Sequence, residues 1–189
     1  MRQHPFLTLA VVVSLAVVQS ARAAIPVEQQ LVVVESGDIF KLSVPVSRLS
    51  MTIPRNNLTV VHDSGSGGTA SPRYFHLEDT ARGIIISGWF ESADQYRGFT
   101  EFWKGETESW KKTGGPKLRN ESLQKSDKWE MALYDVKVPG GSNTHIRAEW
   151  VDLGTWIDVH ISVTSTEPID AARASAMNVL KGIRIAPAS

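Results

Sequence analysis

The chain has no cysteine among its 189 residues. That excludes disulfides, thiolate metal centres, a cysteine nucleophile and any lipid anchor carried on cysteine. It has no excess of either charge: 20 Lys plus Arg stand against 20 Asp plus Glu. The basic surplus expected of a general nucleic-acid binder is therefore missing. No apolar run reaches the length of about eighteen residues at which a membrane-spanning helix is read from sequence. What is present is ordinary, with 42% hydrophobic and 21% charged residues. This is globular composition, and a chain of this size can bury enough apolar surface to fold without cross-links.

Phe6 to Val18 is a thirteen-residue run with no charge and no strong breaker, preceded by Arg2 and followed by Ala21-Arg22-Ala23. Small residues at the −3 and −1 positions complete the pattern of an export signal. Thirteen residues at 1.5 Å each span roughly 20 Å, short of a hydrocarbon core of about 30 Å. Residues 1–23 thus read as a secretory signal peptide and 24–189 as one periplasmic or secreted domain. Cleavage removes two arginines and no acid, leaving 166 residues with a formal net charge of −2. No stable membrane insertion is expected after cleavage, and the residual charge does not favour attachment to anionic lipid.

The mature region opens with two β-rich runs around Ser36-Gly37-Asp38. Phe40, Leu42, Val44 and Val46 alternate with polar residues or proline, and Leu49, Met51 and Ile53 continue the period of two expected of half-buried strands. Leu58–Val61 is a further short strand. Tyr74–Glu78 and Gly83–Phe90 predict a hairpin across Thr80–Arg82. A helix is expected to start near Ser92 to Gln95, at capping-box spacing, with Tyr96, Phe99, Trp103 and Trp110 on one face. Gly114-Gly115-Pro116 stops it. Three strands follow: one from Trp129, then Thr144–Asp152 and Thr155–Ser165 flanking the tight turn Leu153-Gly154. A second helix begins near Thr166 or Glu167, with Pro168 in its first turn. It carries Ile169, Ala172, Ala176, Val179 and Leu180 as its apolar stripe and ends at Gly182. Ile183–Ile185 forms the last strand. Consecutive hairpins and only two helices predict an α+β domain: one mostly antiparallel sheet with two amphipathic helices packed on it.

That element order, with Ile84-Ile85-Ile86-Ser87-Gly88-Trp89-Phe90 leading into an aromatic helix, resembles the PsbP-like α/β/α sandwich. This superfamily includes extrinsic photosystem proteins and small exported bacterial proteins of the DcrB type. The resemblance covers Leu31 to Ile185 and implies auxiliary or binding roles more than catalysis. It supplies no catalytic residue.

The most distinctive constellation lies on the hairpin around Gly154. A two-residue turn sets Val151 against Trp156, Glu149 against Asp158, Arg147 against His160 and His145 against Ser162, all on one face. Ile146, Ala148 and Trp150 share the opposite face with Ile157, Val159 and Ile161. His145, Arg147, Glu149, Trp156, Asp158 and His160 are therefore the candidate ligand-binding residues. Opposed acids can raise one carboxyl pKa for acid–base work or take up a divalent cation, and histidines nearby suit a transition metal. The competing reading is a solvated sheet face on which Arg147 neutralises Asp158 diagonally.

Weaker motifs complete the survey. Asp63-Ser64-Gly65 matches the aspartic-protease tripeptide, but one chain of this length supplies only one aspartate of the required pair. Gly65–Gly68 and Gly114-Gly115-Pro116-Lys117 lack the rest of a phosphate loop. Asn57-Leu58-Thr59 and Asn120-Glu121-Ser122 fit the glycosylation pattern. His62, His76 and Glu78 are a possible second metal group. Six tryptophans offer stacking surfaces, and Trp156 is the one expected to point with polar neighbours. No motif joins nucleophile, base and oxyanion site. The expected function is an exported accessory domain that binds an envelope protein or small ligand, with no cofactor and no nucleic acid. The alternative is a small metal-assisted or acid–base hydrolase using the Glu149/Asp158/His160 face.

Overall fold

The computed structural model of the protein describes residues 29–61 and 73–188. The expected signal peptide, His62, Asp63-Ser64-Gly65 and the glycines at 65–68 lie outside the described residues. The elements run β1 (Val32–Ser36), β2 (Ile39–Ser43), β3 (Leu49–Pro54), β4 (Thr59–Val60), β5 (Tyr74–Asp79), β6 (Ile84–Ser92), α1 (Phe99–Lys112), β7 (Arg119–Ser126), β8 (Trp129–Val138), β9 (Gly141–Asp152), β10 (Thr155–Ser165), α2 (Ile169–Gly182) and β11 (Arg184–Pro187). The class is α+β, with two helices on antiparallel sheet, as the alternation predicts.

The strands form two sheets where one was expected. A seven-stranded sheet runs β4-β5-β6-β10-β9-β8-β7, and a four-stranded sheet runs β1-β2-β3-β11. The split follows from burial. Phe40, Leu42, Leu49, Met51 and Ile53 are buried in one core with Leu77, Ile86, Ile157 and Ile161 of the larger sheet. The small sheet thus stacks its apolar side on the large one, as half-buried strands of separate sheets do. Ala172, Ala176 and Leu180 of α2 enter the same core. The opposite face of the large sheet carries α1: Phe99 and Trp103 pack with Ala132, Tyr134 and Val136.

Three boundaries differ from expectation. Ser92 still pairs with Thr155 at the end of β6. Its hydroxyl accepts the Asp94 N–H, capping only a single 3-10 turn over Ala93–Gln95. Gly98, at φ 98°, separates that turn from α1. The expected cap is thus real but belongs to a shorter element. β7 is an added fourth strand in the region where three were expected. Its side chains are almost all exposed, so it lacks apolar alternation, and backbone pairing with β8 defines it. Finally, Pro168 sits at the N-cap of α2 with ψ 143°, just outside the first turn.

Candidate functional site

The turn between β9 and β10 fixes the register of the predicted polar face. Leu153 and Gly154 both have positive φ, 46° and 76°, the conformation of a type I′ hairpin turn. Glu149 accordingly opposes Asp158, Arg147 opposes His160, His145 opposes Ser162 and Val151 opposes Trp156. All six predicted residues come together on one face.

That face is covered, and this corrects the solvated alternative. Glu149 is 1% exposed and Asp158 5%, and Arg147 and His145 are also buried. The loop before α1 and the helix itself supply the roof. Tyr96 and Phe102 pack against Trp156, with ring centroids 5.4 and 6.0 Å away. The Arg147 guanidinium lies 5.2 Å from the centre of the Phe102 ring. The diagonal neutralisation is present: Arg147 Nη2 donates to Asp158 Oδ2 at 2.8 Å. Glu106 of α1 adds a second carboxylate 3.4 Å from the same nitrogen. The Trp156 indole N–H donates to Glu149 Oε2.

Among the described residues, Glu149 Oε1 and Asp158 Oδ1 are buried with no hydrogen-bond partner. Burial and the neighbouring Asp158 charge push the Glu149 carboxyl far above the ordinary carboxylate range. Asp158 is pushed up by burial, with Arg147 opposing the rise. Glu149 is therefore the protonated member of the pair, and Asp158 keeps its charge against Arg147. Two carboxyls, one proton and one arginine make a nearly neutral buried cluster.

The histidines form a separate stack. His145 lies parallel to Tyr134 at 4.8 Å and to His160 at 5.2 Å. Their ring nitrogens, His145 Nδ1 and His160 Nε2, meet at 2.9 Å. Burial lowers the His145 pKa to about 4 and lowers that of His160 well below its usual value, so both rings are neutral near pH 7. Among the described residues, no three His, Asp or Glu side chains converge as metal ligands. His76 and Glu78 do meet, with Nε2 and Oε1 2.9 Å apart on β5.

Chemically, this face is a closed store of charge. A shallow depression of about 380 Å³ above it is lined by Tyr96, Phe102, Glu106 and Trp156 and does not reach Glu149 or Asp158. Asn120 is also committed internally: its amide donates to Asp135 Oδ2 at 2.9 Å. Asp135 is buried, which raises its pKa. Hydrogen bonds from Arg173, Asn120 and Thr144 outweigh that and hold it below its usual value.

A deeper apolar groove lies on the other side of the large sheet. This groove, of about 460 Å³, runs between α2, the end of β3 and strands β5 and β6. Its walls on the sheet side are Ile53, Ile84 and Ile86, with Leu58 from the connection between β3 and β4. Its helix wall is a stripe of mostly small side chains, Ala171, Ala174, Ser175, Asn178, Val179 and Gly182, spaced three or four apart on one flank of α2. Small residues leave the gap unfilled. At its narrow end, a Cβ added to Gly182 would lie 3.2 Å from Pro54 Cγ.

Asp79 also lines this groove and is 2% exposed. Its Oδ1 accepts the Arg82 backbone N–H at 3.1 Å, whereas Oδ2 is buried with no hydrogen bond among the described residues. The Arg82 guanidinium stands 3.8 Å from Oδ2 and is itself half exposed. A buried acceptor left unmet costs about 1–3 kcal/mol. Sequence reasoning passed over Asp79. The available signal was its phase, since it continues the inward set Phe75 and Leu77.

A second groove, about 550 Å³, separates α1 from β7 and is lined by Trp103, Trp110, Leu118 and three lysines. Both indole N–H groups there are already satisfied, Trp103 by Glu121 and Trp110 by the Pro116 carbonyl. The groove under α2 is thus the better candidate site, because it joins apolar walls to an unmet polar group.

No known protein family matches the chain, and no curated protein matches it. Among the described residues, no helix is long and apolar enough to cross a membrane.

Proposed function

We propose that this chain is an exported, non-enzymatic binding domain of the cell envelope, and that its ligand site is the groove between α2 and the two sheets. One observation carries the reading: about 460 Å³ of space walled by Ile53, Leu58, Ile84 and Ile86 is left open beside the core, with a buried unmet carboxylate oxygen on its lining. This volume falls within the ordinary range for small-molecule pockets. The export-signal pattern of residues 1–23 supports the location. The resemblance of the element order to the PsbP-like sandwich supports an accessory role. The hydrolase alternative is disfavoured because Glu149 and Asp158 face each other under α1, with no room for a substrate between them.

The test is titration of the full chain with N-phenyl-1-naphthylamine, a neutral dye that brightens in apolar surroundings. Saturable binding is expected. Ser175→Trp, which fills the groove from its half-exposed helix flank, should weaken it by at least about tenfold, equivalent to about 1.4 kcal/mol. Absence of dye binding, or equal binding by a folded Ser175→Trp variant, overturns the proposal.

A further inference from the structure

We infer that the groove under α2 selects amphipathic amines, molecules with an apolar body and a cationic head that docks on Asp79. The inference rests on the groove being a ligand site, as proposed above, and adds the chemistry of the ligand. The walls set the first requirement. Ile53, Leu58, Ile84 and Ile86 offer no hydrogen bonds, so an apolar body fills this space best. The polar lining sets the second. Asn56, Ser175 and Asn178 are neutral, which leaves Asp79 and Arg82 as the charged groups lining the groove.

Asp79 is fixed from below, through the Arg82 backbone N–H on Oδ1, and presents a buried, unmet Oδ2. Among the described residues, no donor lies at hydrogen-bond distance from that oxygen. The Arg82 guanidinium is too far away to hydrogen-bond and extends into solvent, at 3.8 Å and 51% exposed. It acts as a loose, displaceable counter-ion. A primary ammonium brings three donors and a compact charge, and can take the place that Arg82 only approaches. An anionic head would meet Asp79 repulsion inside the groove. A hydroxyl head can donate one hydrogen bond but brings no charge.

The experiment is competition against N-phenyl-1-naphthylamine on the full chain by decylamine, decanol and decanoate, each kept below its aggregation threshold. Decylamine is expected to displace the dye at a concentration about tenfold lower than decanol, with decanoate weakest. Asp79→Asn keeps the Oδ1 acceptor for Arg82 and should bring decylamine to the level of decanol while leaving decanol unchanged. Arg82→Gln removes the competing cation and should tighten decylamine several-fold. The two variants move one affinity in opposite directions, which a general loss of folding cannot imitate. Equal displacement by all three ligands in the wild type, or an amine preference that survives Asp79→Asn, overturns the amine inference but leaves the groove as a ligand site. Failure of the dye itself to bind overturns both.

Discussion

The two faces of the seven-stranded sheet solve opposite problems. On the α1 face, charged residues are sealed in under a roof: Arg147 pairs with Asp158 and Glu106, while Glu149 Oε1 and Asp158 Oδ1 stay without a partner among the described residues and face no opening. On the α2 face, apolar residues dominate but the space is not filled, and one carboxylate oxygen is left unanswered. The polar side looks functional in the sequence yet is closed. The apolar side looks like plain core yet holds the groove in which a polar group is left unmet. Clusters of titratable residues therefore mark function only when something outside the protein can reach them. An unmet polar group in an apolar groove is the stronger pointer here.

The largest effect should come from breaking the sealed side. Arg147→Met removes the charge shared by Asp158 and Glu106 and leaves the Asp158 carboxylate buried without its partner. A loss of about 3–5 kcal/mol is expected in urea unfolding. For a chain of this size each kcal/mol corresponds to about 2–4 °C in Tm. A change under about 1 kcal/mol would mean that the cluster is hydrated and the two faces are not different in kind.

Next is Glu149→Gln, whose effect depends on pH. The folded pKa of Glu149 lies above its ordinary value of 4.5. The native state therefore holds a proton that the unfolded chain releases, and this group's contribution to stability falls as pH rises above about 4.5. Gln keeps the amide-sized side chain and its donor without that liability. The variant should match the wild type near pH 4 and exceed it by about 1–3 kcal/mol near pH 8. His145 and His160 work with the opposite sign. Their folded pKa values lie below 6.5, so protonation of the unfolded chain removes stability as pH falls from about 6.5 toward 4. In the wild type the histidine and carboxyl slopes oppose each other. In Glu149→Gln the histidine slope should stand out, as stability rising with pH between about 4 and 6.5, readable by thermal scans across buffers. A gap between the two proteins that does not grow with pH would contradict a protonated Glu149 beside a charged Asp158.

The smallest expected effect is Gly182→Ala on the open side. Alanine favours the helix by about 0.5–1 kcal/mol, while its Cβ tightens the contact with Pro54, 3.2 Å away. Stability should change by less than about 1 kcal/mol, and dye affinity should fall a few-fold as the groove narrows. A dye affinity unaffected by this change would place the bound molecule away from the Pro54 end.

How much of this was legible in the sequence follows from what each feature depends on. The β9–β10 register was readable residue by residue, because Leu153-Gly154 fixes a two-residue turn and the inward set Ile146, Ala148, Ile157, Val159 and Ile161 admits one pairing. The meeting of Arg147 with Asp158 followed from that register. The roof over them did not, because the docking of Tyr96, Phe102 and Glu106 depends on where α1 begins and how it lies, set by Gly98 and by packing on Ala132 and Tyr134. The second sheet was hidden because strands stacked face to face and strands paired edge to edge share the same alternation. β7 was hidden because an exposed edge strand is held by backbone bonds and leaves no apolar signature. The groove is a property of missing volume along α2, which no single residue reports, and Asp79 was obscured by its place beside a turn.

The central claim is that foreign apolar molecules enter under α2 and not under α1. The most direct test is photo-crosslinking of the full chain with a neutral alkyl-diazirine probe, followed by mass-spectrometric mapping of the labelled peptides. Label concentrated on the α2 peptide around Ala174–Gly182 and on β3 or β6 around Ile53 and Ile84, and lost on competition with N-phenyl-1-naphthylamine, is the predicted result. Saturable label at Tyr96, Phe102 or Trp156, with none on α2, would contradict it.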